Sequence, residues 1–146
     1  MLLIDDIDSA PSIRSARYLA RAGRAAEAPH ILLADDDEDI RDLVATTLRL
    51  SGYTVDTTDD GPTALALIDS RRPDLVLLDV VMPGISGFEI CRRLREQRAV
   101  PPPPVILLSG KTAPAAVRAG LEAGAARYHR KPVDLEGLLH DIRSVL

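Results

Sequence analysis

The fold is decided by residues 30–37, which read HILLADDD. The first five residues are almost wholly apolar, as expected of a strand that is buried on both faces of a sheet. Three aspartates follow at once. Apolar residues then recur at helical spacing from Ile40 to Leu48, until Ser51 and Gly52 end the helix. The stretch therefore predicts a buried strand, an acidic turn and a helix.

The same alternation of strand and helix continues to the end of the chain. Five strand–helix pairs predict an α/β fold, a doubly wound, five-stranded parallel sheet with helices on both faces. In such sheets the ligand site lies beyond the carboxyl ends of the strands. The later predicted strands are residues 53–55, 75–78, 105–108 and about 127–129, and the later helices begin near Gly61, Gly87, Ala113 and Asp134.

Length and composition limit the domain organisation and the compartment. A chain of 146 residues fits one domain, predicted at residues 29–146, preceded by an extension at residues 1–28. The single cysteine excludes an intramolecular disulfide. No apolar run is long enough to span a membrane, and the amino terminus lacks the basic start of a signal peptide. The net charge of −4 argues against nucleic acid as the direct partner. We therefore expect a cytoplasmic protein without membrane insertion.

Reactive or charged residues stand at four predicted strand ends. Asp35 and Asp36 follow the first strand, Asp79 the third and Ser109 the fourth, and the fifth runs into Lys131. Each residue alone has an ordinary explanation as a helix cap, a turn or a solvated side chain. Together, on one edge of a parallel sheet, they form a pattern that is rare by chance.

Phosphoryl transfer to a carboxylate explains this pattern in chemical terms. Three crowded carboxylates repel one another, and a hard divalent cation such as Mg²⁺ removes that conflict through oxygen ligands. The metal would also neutralise charge on an incoming phosphoryl group, while the lysine and the serine would each bind one of its oxygens. The sequence therefore predicts a Mg²⁺-dependent phosphoryl site.

Four segments resemble the motifs of the bacterial response-regulator receiver family. They are ILLADDD at 31–37, LLDVVMPG at 77–84, LLSGK at 107–111 and YHRKP at 128–132. The stretch AGLEAGA at 119–125 also resembles the lead-in of that family to its fifth strand, and the resemblance covers about residues 29–146. It implies a flavodoxin-like sheet with strand order 2-1-3-4-5, similar to stand-alone chemotaxis-Y-like receivers.

The resemblance also implies roles for the residues of the site. Asp79 would be the phosphoacceptor and a metal ligand. Asp36 would bind Mg²⁺ directly, Asp35 would act mainly through a metal-bound water, and the backbone carbonyl of Val81 would be a further ligand. Asp37 matches a variable position, so we interpret it as a helix cap.

The remaining implied roles concern phosphoryl binding and conformational switching. Lys131 and Ser109 would bind the phosphoryl group, and Ser109 and Tyr128 would form the switch. The bond between Lys131 and Pro132 is expected to be cis. Partners would be a histidine kinase or histidine phosphotransfer protein and a downstream protein target. The protein would be no enzyme beyond its own phosphorylation and autodephosphorylation.

Three features depart from the commonest pattern of the family. Ser109 stands where threonine is frequent. Residues 125–127, Ala-Ala-Arg, replace a frequent acidic pair, which puts the dimer mode of many transcriptional members in doubt and leaves a homodimer open. Nothing follows Leu146, from which we expect a stand-alone receiver without an output domain.

Three other functions stay open to different degrees. An aspartyl phosphatase would need a general acid just after the nucleophile, where Val80 and Val81 stand instead. A receiver that binds partners without phosphorylation conflicts with the complete set of acids, hydroxyl and lysine. A receiver module within a longer hybrid or output protein is fully compatible with the sequence.

Several residues outside the site also carry predictions. Cys91 is interpreted as a core residue, and His30, His129 and His140 as structural or exposed. Two interpretations of Lys111 fit the sequence equally well: it controls access of water to the phosphoryl group, or it is a solvated loop residue. In the extension, a helix over about residues 12–27 would carry the arginines at 14, 17, 21 and 24 as one stripe. We expect either that this helix docks on a protein surface or that the extension is a disordered tail.

Overall fold

The structure is a computed structural model that describes residues 28–97 and 101–146. Strands and helices alternate throughout this part of the chain. The elements are β1 His30–Ala34, α1 Glu38–Leu50, β2 Thr54–Thr58, α2 Gly61–Arg71, β3 Leu75–Asp79, α3 Gly87–Glu96, β4 Val105–Ser109, α4 Pro114–Glu122, β5 Arg127–Arg130 and α5 Leu135–Val145. The predicted α/β alternation is confirmed.

The five strands form one parallel sheet in the order β2-β1-β3-β4-β5. This confirms the strand order that the resemblance to the receiver family implied. After β2 the chain crosses to the other side of β1, so the strand order reverses between β1 and β3. The register pairs Ala34 with Leu78, which places the residue after β1 beside the last residue of β3.

Burial explains which strands the sequence revealed clearly. Every residue of β3 and β4 is buried, and so is all of β1 except its first residue. The edge strand β2 is only partly buried, since Val55 and Thr58 are buried and the other three residues are intermediate or exposed. The prediction of residues 53–55 for this strand was wrong in its bounds, since an edge strand tolerates the polar residues Asp56, Thr57 and Thr58.

Two hydrophobic clusters lie on opposite faces of the sheet. One contains side chains of α2 and α3, with Ala123 just after α4, and the other contains side chains of α1 and α5. Cys91 of α3 is 2% exposed and belongs to the first cluster, which confirms its interpretation as a core residue. The helices therefore cover both faces and leave the carboxyl edge of the sheet to loops.

Side chains cap the helices that follow β1, β2 and β3. Asp37 Oδ1 accepts a hydrogen bond of 3.1 Å from the N–H of Ile40, which confirms the cap predicted for this residue. Asp60 and Ser86 cap α2 and α3 in the same way. These caps fix the loops that leave β1 and β3 at the carboxyl edge.

The predictions for the amino-terminal extension fall almost entirely outside the described residues and stay predictions. These are the domain boundary near residue 28 and the helix over about residues 12–27. Among the helices that the structure does describe, none is both long and apolar enough to cross a membrane.

Candidate phosphoryl and metal site

Three carboxylates meet at the carboxyl edge of the sheet. The three are Asp35, Asp36 and Asp79. One carboxylate oxygen of each residue lies within 4.8 Å of one oxygen of each of the other two. The parallel register of β1 and β3 causes this meeting, because it places Asp35 beside Asp79. We call these three residues and Lys131 the carboxylate site.

Asp35 is fully buried within this site. Its Oδ1 accepts a hydrogen bond of 3.0 Å from the N–H of Asp37. Its Oδ2 forms an ion pair with Lys131 Nζ at 2.8 Å. The backbone is held firmly, since its N–H donates to Thr58 O and its carbonyl accepts from Arg41 Nη1.

Lys131 reaches into the site from the end of β5. Its Nζ lies 2.8 Å from Asp35 Oδ2 and 3.2 Å from Asp79 Oδ2, and its backbone N–H donates to Ser109 O at 2.8 Å. Burial alone would lower the pKa of Lys131, but the two carboxylates outweigh burial and raise it. Lys131 is therefore a fixed positive charge, and its bond to Pro132 is cis.

Asp79 is the buried centre of the site, with 6% exposure. Burial, and secondly the negative charge of Asp35, raise the pKa of Asp79 from 3.8 to about 6, although Lys131 opposes this change. The N–H of Val81 donates to Asp79 Oδ1 at 3.3 Å. A methyl group at Gly87 would lie 2.5 Å from the backbone carbonyl of Asp79, so only glycine lets the following loop pack this closely.

The donor set fits a hard divalent cation such as Mg²⁺. One ammonium cannot balance three carboxylates, and both burial and the negative charge of Asp35 raise the pKa of Asp79. Carboxylate oxygens are the protein ligands that Mg²⁺ prefers. Asp36 is exposed and can bind the ion from the solvent side. Val81 contacts Asp79 through its N–H, and a metal-binding role for its carbonyl stays a prediction.

Ser109 and Tyr128 both bind the backbone of Lys111. Ser109 is 1% exposed at the end of β4, and its Oγ accepts a hydrogen bond of 2.9 Å from the N–H of Lys111. Tyr128 is half-buried against the core, and its Oη donates to the carbonyl of Lys111 at 2.6 Å. The sequence could not reveal this link, because it uses only the backbone of Lys111.

Comparisons with known proteins place this fold and site in a defined class. The chain is similar to the transcriptional regulatory protein CseB of Streptomyces avermitilis, with 41% identity over 83% of this chain and 50% of the relative. It is 39% identical to the transcriptional regulatory protein TcrA of Mycobacterium tuberculosis, over 92% of this chain and 52% of that protein. The chain thus spans about half the length of these curated relatives.

Solved structures show the same similarity. The chemotaxis response regulator CheY4 of Vibrio cholerae matches with a TM-score of 0.75 and 35% identity, over 82% of this chain and 99% of that one. The BeF3-activated N-terminal receiver domain of RstA from Klebsiella pneumoniae matches with a TM-score of 0.74 and 32% identity, over 80% and 97% of the two chains.

Fold and site together define a doubly wound signalling domain with an acidic site at its carboxyl edge. The family model of the response regulator receiver domain matches residues 31–143 of this chain. The chain belongs to this family, the receiver domains of two-component response regulators, and the resemblance stated from the motifs is confirmed.

Proposed function

We propose that the domain is a phosphoacceptor switch. Asp79 would take a phosphoryl group from a histidine kinase or a histidine phosphotransfer protein in a Mg²⁺-dependent reaction. One observation carries this proposal: Asp79 Oδ2 lies 3.2 Å from Lys131 Nζ, while the same side chain lies in one carboxylate cluster with Asp35 and Asp36. The transfer requires two positive charges, and this arrangement supports a role for Asp79 between Lys131 and a bound Mg²⁺.

The chemistry needs an ionised Asp79 and stabilisation of the phosphoryl oxygens. Because the pKa of Asp79 is about 6, its carboxylate is largely ionised near neutral pH. One of its oxygens would form the new P–O bond while the bond between phosphorus and the donor imidazole breaks, and the electron pair leaves with the imidazole. Mg²⁺, when bound, would neutralise charge on the phosphoryl oxygens. Lys131 and Ser109 would each bind one of those oxygens.

The switch would operate through the contacts of Lys111. If Ser109 Oγ turns towards a phosphoryl oxygen, the N–H of Lys111 loses its acceptor and the loop after β4 is free to adjust. Tyr128 holds the carbonyl of the same residue, so its ring would respond to that adjustment. The result would be a population shift on the surface formed by α4, β5 and α5.

The output that fits this surface is contact with a downstream protein. We propose a cytoplasmic domain whose catalysis is limited to its own phosphorylation and dephosphorylation, with no direct nucleic-acid contact by the domain itself. A second proposal is that the domain is the receiver module of a longer response regulator. It is favoured by the relatives that are named transcriptional regulatory proteins, of which this chain spans about half.

Labelling with a small acyl phosphate and Mg²⁺, followed by intact mass measurement, tests the proposal. The wild-type protein should gain the mass of one phosphoryl group, and Asp79→Asn should gain none. Asp56→Asn is a matched control, because it removes the same charge from β2. Similar labelling of the Asp79→Asn variant would refute the assignment, and an unlabelled wild type would favour phosphorylation-independent binding.

A further inference from the structure

Helix α4 approaches the sheet closely at Gly120, which is buried. A methyl group at this position would lie 2.9 Å from Leu107 Cδ1, 2.9 Å from Tyr128 Cδ2 and 3.1 Å from Phe88 Cε1. Real methyl groups essentially never come within 3.0 Å of other heavy atoms, so any other residue at position 120 would force a neighbour to move. The space that Gly120 leaves is filled by these three side chains.

The three neighbours differ in their freedom to move. Leu107 is 0% exposed in the middle of the interior strand β4 and is confined by core atoms. Phe88 stands in the first turn of α3 and packs against the same cluster. Tyr128 lies on the edge strand β5 and is half-buried, so its ring can turn towards solvent by a change of rotamer.

We propose that Gly120 is a positioning residue for Tyr128. By carrying no side chain, it leaves room for the aromatic ring to lie inward against α4 with its hydroxyl on the carbonyl of Lys111. A methyl group at position 120 displaces the ring outward and breaks that hydrogen bond, while it leaves the carboxylate site intact. The effect on Tyr128 stands by itself, and its link to phosphorylation rests on the proposed function.

The geometry explains why the position affects the switch and not the acceptor. A methyl group at position 120 would contact Tyr128 directly. Its three nearest atoms include none from Asp79, Asp35 or Lys131. Gly120→Ala should therefore separate the two events that the proposed function couples, phosphorylation of Asp79 and the response of Tyr128. The variant would still accept the phosphoryl group, but the ring of Tyr128 would occupy its inward position less often.

The test uses the full chain labelled with fluorotyrosine, which has three tyrosines. The variant Tyr128→Phe identifies which of the three signals belongs to Tyr128. Fluorine NMR with and without Mg²⁺ and beryllofluoride reports the surroundings of the Tyr128 ring through its solvent isotope shift. In Gly120→Ala the inward population should fall about three- to tenfold, which corresponds to the cost of forcing a side chain off its rotamer. Acyl-phosphate labelling should stay within about twofold of wild type.

Two further variants separate this role from a general effect on α4. Ala115→Gly, at an exposed position of the same helix, should leave the Tyr128 signal unchanged. Tyr128→Ala removes the displaced ring, so Gly120→Ala should reduce stability less in that background than in the wild type. If Gly120→Ala alone fails to fold, Tyr128→Ala should restore folding.

The proposal is overturned by any of three results. They are an unchanged Tyr128 signal in Gly120→Ala, an equal loss of stability with and without Tyr128, or failure of Tyr128→Ala to rescue an unfolded variant. If the wild-type protein takes no phosphoryl group, the proposed function fails. The Tyr128 signal without beryllofluoride still decides the role of Gly120.

Discussion

Two clusters of acidic and basic side chains occupy different parts of the same sheet. At the carboxyl edge stands the carboxylate site. The other cluster, which we call the edge-strand cluster, joins β1 to β2 and consists of His30, Thr54, Asp56 and Arg71. In it, His30 Nε2 lies 2.9 Å from Asp56 Oδ2, His30 Nδ1 lies 2.8 Å from Thr54 Oγ1, and Arg71 Nε lies 3.8 Å from Asp56 Oδ2.

The two clusters contain similar residue types but differ in electrostatic balance. In the edge-strand cluster both nitrogens of the His30 ring are bonded, and the acidic partner Asp56 is about one-third exposed to solvent. In the carboxylate site, Asp35 is fully buried, and the single ammonium of Lys131 faces three carboxylates. A cluster that satisfies its own charges serves the fold. One that leaves a negative excess is prepared for a cation or another charged group.

The largest expected effect that would test this contrast is the loss of metal binding. Asp36→Ala should abolish both Mg²⁺ binding, measured by isothermal titration calorimetry, and acyl-phosphate labelling, because it removes the proposed solvent-facing ligand. Asp37→Ala and Asp56→Ala should retain both, since one residue caps α1 and the other belongs to the edge-strand cluster. Loss of binding in Asp37→Ala instead would shift the ligand assignment by one residue.

A gain of stability should follow when the excess charge is removed. With a chelator present at pH 8, Asp79→Asn should raise the free energy of unfolding by about 2–3 kcal/mol, since each unit of pKa shift corresponds to about 1.4 kcal/mol. The reason is that ionised Asp79 is less favourable in the folded protein than in the unfolded chain. Urea denaturation of both proteins measures the difference, and a destabilised variant would contradict the electrostatic account.

The gain in the free energy of unfolding of Asp79→Asn over the wild type should increase with pH. The pKa of Asp79 is raised from 3.8 in the unfolded chain to about 6 in the folded protein, so its ionisation opposes folding. This destabilisation is absent below about pH 4, grows between about pH 4 and 6, and is complete above about pH 6. The advantage of Asp79→Asn should follow this curve in chelator, and a constant advantage across the range would attribute it to packing.

The smallest expected effect belongs to the edge-strand cluster and has the opposite sign. Asp56→Asn should lower the free energy of unfolding by up to about 1 kcal/mol, the usual value of a partly exposed ion pair. The same substitution would thus stabilise one cluster and destabilise the other. If both variants were stabilised in the same denaturation series, the edge-strand cluster would also carry an unbalanced charge.

The sequence predicted the fold well where burial imposes a simple pattern. Strands β1, β3 and β4 are buried on both faces, and their apolar runs marked them clearly. The edge strand β2 was misplaced because it carries the polar residues Asp56 and Thr57, which look like loop residues. The parallel sheet was predictable because strands and helices alternate along the chain, whereas the strand order was implied by the resemblance to the receiver family.

The carboxylate site was predictable for a related reason. Asp35, Asp79 and Lys131 follow strands whose carboxyl ends must meet, so the sequence alone predicted their proximity. The contacts made by backbone atoms were not predictable. Thr58 and Lys111 contribute carbonyl groups that any residue could supply, and Gly120 contributes only the absence of a side chain.

The burial of Cys91 has a practical consequence for thiol chemistry. Desolvation by the surrounding core raises the pKa of its thiol to about 12, and the reactive species of cysteine is the thiolate. The native protein should therefore resist maleimides and similar reagents, although it contains a cysteine. A second cysteine introduced at an exposed position of α4, such as Arg118→Cys, could then carry a spin label or fluorophore without removal of the natural one.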